Sequence, residues 1–183
     1  MLTAARVGFE VLPAMIDEEA VKAAMRAERA PARDIADTLA EMKAAKVSGR
    51  RPRHLVLGAD QVLAVDGDTL DKPRDLDEAA VHLRRLRGRS HELLAAAVIC
   101  EDGRPVWRHV GRARLAMRPF SDAFLAEYLA EHGEALCDTV GAYRLEDGGT
   151  ALFSRVDGDY FSVLGLPLLE LLGYLRARGI CKE

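Results

Sequence analysis

The chain has 183 residues, 49% of them apolar and 30% charged, the composition of a soluble globular protein with one substantial core. Its formal net charge of −3 excludes an overall field that would gather nucleic acid, so a polyanionic substrate must meet a local cluster of cations, and a small phosphorylated ligand fits better than a duplex. No stretch approaches the roughly 20 apolar residues that span a bilayer, and Met1-Leu2-Thr3-Ala4-Ala5-Arg6 lacks the layout of a signal peptide, so neither nucleic acid nor membrane is expected as a partner and the cytoplasm is the expected compartment.

In chain order, residues 7–14 carry β-formers up to Pro13 and predict a first strand, whereas residues 17–30 repeat small and apolar residues at helical spacing behind an acidic first turn. Pro31 resets the chain, and Ile35, Leu39, Met42 and Val47 give a second helical stripe that ends near Ser48-Gly49. Arg50-Arg51-Pro52-Arg53 reads as a solvated connector. Residues 54–65 are a near-continuous apolar run, the mark of a strand buried on both faces, interrupted by Asp60 and Gln61. Asp66-Gly67 is a hairpin turn, and residues 75–88 read as a helix with an acidic start, a basic end and a glycine stop.

Two long strands follow, 90–101 and 105–117, joined at Asp102-Gly103. Residues 121–133 are helical, with Ser121 as N-cap and Gly133 as the stop. The glycine-rich stretch 141–149 leads into a strand at 151–156, and Pro167 opens a final apolar helix that runs to Gly179. Helices alternating with strands and hairpins predict an α/β fold, a single domain over residues 1–183 with one twisted mixed β-sheet flanked by helices.

Asp60 carries the strongest chemical signal, because an ionised carboxylate inside an apolar strand is costly unless a cation, a metal or a water-filled cleft receives it. The alternative is a carboxylate that caps a neighbouring loop. Lys72 lies just past the hairpin that returns the chain beside Asp60, and an ammonium is a suitable point charge for phosphate. Lys43 on the preceding helix is a second candidate cation, although on its own an exposed helical lysine reads as solvated, as its neighbour Lys46 does. Glu18 sits where a carboxylate can hold Mg²⁺ or simply favour the helix dipole. Glu146 lies in the glycine-rich loop, where a carboxylate can accept two hydrogen bonds from a purine's ring N–H and amino group, or stand in solvent.

Other residues carry less. Trp107, at an alternating strand position, reads as core. Cys100, Cys137 and Cys181 form no CxxC pair and read as reduced and structural, and the five histidines show no metal-like pairing. GxSxG, GxxxxGK[ST] and GxGxxG are all absent.

Four segments together resemble the Maf family in order and spacing: Leu39-Ala-Glu-Met-Lys43-Ala, Leu57-Gly-Ala-Asp60-Gln61-Val, Asp71-Lys72-Pro73 and Gly158-Asp-Tyr-Phe-Ser-Val-Leu-Gly-Leu-Pro167. The last is the most specific; Leu86-Arg-Gly-Arg-Ser-His91 and Arg118-Pro-Phe-Ser-Asp122 support it, and the resemblance covers essentially the whole chain. It implies an inosine-triphosphatase-like fold and a metal-dependent pyrophosphatase, with Mg²⁺ or Mn²⁺ as cofactor, a nucleoside triphosphate as substrate and a homodimer as assembly. Asp60 matches the family's catalytic carboxylate and, with Glu18, its metal position; Lys43 and Lys72 match phosphate-binding positions. The branch acting on pyrimidine triphosphates usually has Thr after the catalytic Asp and Gln in the later loop. Gln61 and Glu146 look instead like the branch that hydrolyses 7-methylguanosine triphosphate, which marks both as specificity residues.

One departure accompanies the resemblance. Maf proteins begin with a short strand and a motif close to S-x-S-x-x-R that contacts the phosphates, whereas Met1 to Val7 aligns with the helix that follows that segment, and Arg6 falls too late to replace its arginine. The expectation is a domain short of its N-terminal strand and phosphate loop, on the order of ten to twenty residues, either because the start was assigned downstream of the true one or because the protein is a natural variant with altered catalysis. The rival function is a nucleotide-binding regulator of division, since the family has been linked to septum formation; release of pyrophosphate separates the two.

Overall fold

Two Asp-Gly pairs decide how the sheet is built. In the computed structural model, which describes residues 1–182, Asp66-Gly67 and Asp102-Gly103 all have positive φ (52°, 83°, 49° and 77°), the two-residue hairpin geometry whose twist suits the strands it joins. The first pair links β1 (Val56–Val65) to β2 (Asp68–Leu70), in register at Leu63↔Leu70 and Val65↔Asp68. The second links β3 (Ser90–Glu101) to β4 (Arg104–Met117). With β5 (Phe153–Asp157) the sheet has five strands in the order β2-β1-β3-β4-β5. The expectation of one sheet flanked by helices stands, but the pairing is antiparallel rather than mixed, because turns this short can join only antiparallel neighbours.

The helices are α1 (Glu18–Ala27), α2 (Ala32–Ser48), α3 (Leu76–Leu86), α4 (Asp122–His132), α5 (Tyr160–Val163) and α6 (Leu168–Ala177). Four of them start at residues whose side chain accepts a main-chain N–H of the first turn: Asp17 from Ala20 at 3.0 Å, Asp75 from Glu78 at 2.8 Å, Ser121 from Phe124 at 3.1 Å and Asp159 from Ser162 at 2.7 Å. Each cap satisfies a donor that the helix cannot satisfy itself. No helix among the described residues is long and apolar enough to cross a membrane.

The chain forms two compact units: residues 1–61, 94–111 and 159 onward make the first, and residues 62–93 and 112–158 the second. In the first unit β1 meets neighbours on both faces, although of residues 56–61 only Gly58 is fully buried, so the burial that its apolar run predicts is partial there. Leu55, Leu57 and Ala59 pack against a cluster that includes Leu166, Leu168, Leu171 and Leu175 of the α6 region, while Gly58 turns the other way, against α2. The alternation follows from the two-residue period of a strand.

In the second unit α3 packs against α4 and the 3-10 turn Gly133–Asp138. There β5 pairs with β4 at Arg114↔Asp157 and Leu115↔Val156, with a bulge at Ala116/Met117. A second 3-10 turn, Gly149–Leu152, takes the first two residues of the strand predicted from Ala151, so the strand starts at Phe153.

The strand expected at residues 7–14 does not form. Its β-formers find no apolar surface to alternate against: Phe9 is 52% and Val11 79% exposed. Among the described residues the main-chain hydrogen bonds near it close turns at residues 1–7, among them Ala5 N–H to Met1 O at 3.0 Å and Val7 N–H to Leu2 O at 3.0 Å. Without a neighbouring strand to pair with, β-propensity alone does not make a strand. Arg50 and Arg51 of the basic connector are exposed as expected, and Arg51 lies 3.4 Å from Glu10.

Candidate active site

Gly58 and Asp60 lie two residues apart on β1 and therefore share a face. A Cβ at Gly58 would fall onto the Ala40 carbonyl oxygen and the Ala44 N–H of α2. Only glycine lets strand and helix approach this closely, and the approach brings Lys43, the residue before Ala44, down to Asp60.

The result is a charged triad within the first unit. Lys43 Nζ donates to Asp60 Oδ1 at 2.7 Å and lies 3.0 Å from Glu18 Oε1. The Asp60 side chain is only 8% exposed, and its Oδ2 is buried with no hydrogen-bond partner. Burial pushes the Asp60 carboxyl above the ordinary aspartate range, while Lys43 and, more weakly, Lys22 of α1 pull against that shift and Glu18 adds to it. Burial works to lower the Lys43 pKa, but the hydrogen bonds and charges of Asp60 and Glu18 outweigh it and hold the ammonium firmly charged. Asp60 is thus a carboxyl made more basic by desolvation, held by one oxygen and buried without a partner at the other.

Gln61 points to the opposite face, as the next residue of a strand must. Its Nε2 donates to the main-chain carbonyls of Ser162 and Val163, both at 3.0 Å. Expected to select substrate, it spends both amide hydrogens on the Gly158–Pro167 segment. Lys72 and Glu146 belong to the second unit. Lys72 is exposed just before Pro73, and Glu146 is exposed in the turn between Tyr143 and Gly149. Among the described residues Glu146 has no side-chain hydrogen bond or ion pair.

Sequence reasoning passed over three features. Gly58 carried a usable signal, since an isolated glycine in a strand marks a close backbone approach. Lys22 carried none beyond its place on a charged helix. The buried pair His91 and Tyr143 joins Nε2 to Oη at 2.7 Å in the second unit, and the two residues are 52 positions apart, so no local pattern links them. Lys46, the solvated comparison to Lys43, is exposed. Trp107 is partly buried and stacks on Tyr174 with ring centroids 5.5 Å apart.

A desolvated carboxylate with one unpartnered oxygen stands beside a lysine and a second carboxylate on an antiparallel α/β sheet, and perturbed carboxyls of this kind cluster at functional sites. The chain belongs to the Maf family: the family described as Maf-like protein matches residues 1–178. It is 58% identical to the nucleoside triphosphate pyrophosphatase of Roseobacter denitrificans over 179 residues, 98% of this chain and 90% of that protein. It is 51% identical to the protein of the same name from Ruegeria sp. over 183 residues, covering 100% and 92%, and 52% identical to that from Caulobacter vibrioides over 179 residues, covering 98% and 89%.

Proposed function

We propose that the protein is a nucleoside triphosphate pyrophosphatase in which Asp60 is the general base, with 7-methylguanosine triphosphate as the substrate and the cytoplasm as its compartment. The observation that carries this reading is the buried, unpartnered Oδ2 of Asp60 beside an Oδ1 held by Lys43. A water seated beside Asp60 gives the carboxylate a proton as its oxygen bonds to phosphorus; the α–β phosphoanhydride breaks, leaving the nucleoside monophosphate and pyrophosphate. Lys43 keeps the carboxylate in place and supplies positive charge where phosphate oxygens gain negative charge, and Lys72 is the second phosphate-binding cation.

The residues present fit a divalent cation. Glu18 and Asp60 offer the carboxylate oxygens that Mg²⁺ or Mn²⁺ prefer, and both already face one cation, the Lys43 ammonium, at 3.0 and 2.7 Å. Among the described residues no group of three His, Cys, Asp or Glu side chains is gathered that could hold a metal, so these two carboxylates would share the ion with substrate oxygens and water, a common arrangement for Mg²⁺. When bound, the ion neutralises charge on the phosphates.

Base choice is assigned to Glu146. An exposed carboxylate without an ion-pair partner can accept from the ring N–H and amino group of guanine, and its charge suits a cationic methylated ring. The homodimer implied by the family belongs to the same reading, as does a single Maf-like domain.

The test is pyrophosphate release from 7-methylguanosine, guanosine, thymidine and uridine triphosphates with Mg²⁺ or Mn²⁺, by the protein and by Asp60→Asn. Turnover fastest on the methylated guanosine nucleotide and reduced about a hundredfold or more in the variant is expected. No release from any of the four by folded protein would give the first place to a nucleotide-binding regulator of division.

A further inference from the structure

Gln61 is the residue after Asp60, and its side chain lies on the other face of β1. An amide nitrogen has two hydrogens. Here both acceptors, Ser162 O and Val163 O, are main-chain carbonyls at 3.0 Å. The amide orientation follows from chemistry, because a flipped group would set Oε1 against two carbonyl oxygens.

The segment it holds is fixed from other sides as well. Ser162 is buried at 2% exposure, its N–H donates to Asp159 Oδ2 at 2.7 Å, and its hydroxyl lies where a Cβ on Gly111 of β4 would fall. The α5 turn is therefore tied to the fold at Asp159 and Gly111 as well as at Gln61, so β1 can be braced against it. Asp60 is braced on the opposite face by Lys43.

We infer that Gln61 is a positioning residue for the reaction: by clamping β1 to the α5 turn it fixes the main chain at residues 60 and 61, so that Asp60 keeps its place against Lys43. This role rests on the reading of Asp60 as the base. It makes the effect of Gln61 on turnover indirect, through the two protein carbonyls that its amide hydrogens reach.

The experiment measures kcat and KM for Gln61→Met and Gln61→Glu on the same four triphosphates, with Asp60→Asn alongside. In Gln61→Met the side chain keeps its length and loses both donors. Its kcat should fall about tenfold while KM stays within about twofold and the ranking of the four substrates is unchanged, the pattern of a misplaced catalytic group. Gln61→Glu supplies the second readout: its carboxyl can donate to one carbonyl when protonated and to none when ionised. In neither state can it serve both carbonyls, so its kcat should fall at least as far as that of Gln61→Met, again with KM within about twofold.

A Gln61→Met variant with unchanged kcat, or with a reordered substrate ranking, overturns the positioning role, as does a Gln61→Glu variant with the kcat of the wild type. Those results with an inactive Asp60→Asn leave the base intact and remove only the clamp. Turnover that survives in Asp60→Asn removes both.

Discussion

The ammonium of Lys43 stands 2.7 Å from a carboxylate oxygen of Asp60 and 3.0 Å from one of Glu18, so a single cation on α2 serves an acid on β1 and another on α1. Opposed effects set the basicity of Asp60. Burial raises its pKa and Lys43 restrains it, which leaves a carboxyl more basic than one in water.

Replacing Lys43 by Gln should remove the main restraint on the burial shift of Asp60, leaving only the weaker one of Lys22, and raise its pKa further. The acid limb of the kcat profile should then move to higher pH, with activity at neutral pH about tenfold lower or worse. Stability follows the same sign: a carboxyl whose folded pKa is raised contributes most below its unfolded pKa, and that contribution is lost as pH rises through the folded value. The variant should therefore be weaker than wild type chiefly at neutral pH. A loss of about 2–3 kcal/mol is expected, under the ~3–5 of a fully buried pair, since Lys43 is 21% exposed. pH–rate profiles and denaturant midpoints at pH 4 and 7 check both parts.

Gly58→Ala should separate packing from charge. The new methyl would meet the Ala40 carbonyl oxygen and the Ala44 N–H, so α2 must move away from β1. Overpacking of this kind costs about 1–3 kcal/mol. Because Lys43 rides on α2, kcat should fall by more than the loss of folded protein explains. Turnover per folded molecule equal to the wild type would mean that the strand-to-helix distance does not set the Lys43 to Asp60 contact.

His91 gives the second unit its own pH dependence. Its ring is 2% exposed and lies against Tyr143 and Phe153, and burial pushes its pKa down to about 4. The unfolded chain binds a proton near pH 6.5 and the folded one only near 4. Its contribution to stability is thus complete above about pH 6.5 and falls away as pH drops toward 4, by about 3 kcal/mol in all. Urea midpoints across that range should show the slope, and His91→Phe should flatten it. Tyr143→Phe should cost about 1–3 kcal/mol at pH 7, because it strips a buried ring nitrogen of its partner.

Glu146→Gln should change which base is preferred. The amide can still accept one hydrogen bond, but it offers a donor where the carboxylate offers a second acceptor. The ratio of kcat/KM for 7-methylguanosine over uridine triphosphate should fall about tenfold or more with little change in stability. An unaltered ratio would leave the guanine assignment without support.

Most elements could be read locally. Ser121, Asp75 and Asp17 announce their helices, and the two Asp-Gly pairs announce hairpins, because caps and turns are satisfied within four residues of chain. The failures have equally local grounds. Residues 7–14 have the composition of a strand but no partner strand to give it hydrogen bonds, and the start of β5 gives way to a 3-10 turn at Gly149–Leu152.

The sequence by itself determined that a carboxylate would sit inside the apolar strand 56–65, and that Lys43 would sit on a helix before it. Periodicity and hydropathy are properties of consecutive residues, and they survive being read one segment at a time. Only the tertiary structure decided which face of β1 meets α2, that Lys43 reaches both Asp60 and Glu18, and that Gln61 turns away to hold Ser162 and Val163. Those choices depend on distances across 17 and 101 positions of chain. They are settled by which surfaces can approach, at Gly58 above all, and no property of a single segment contains that information.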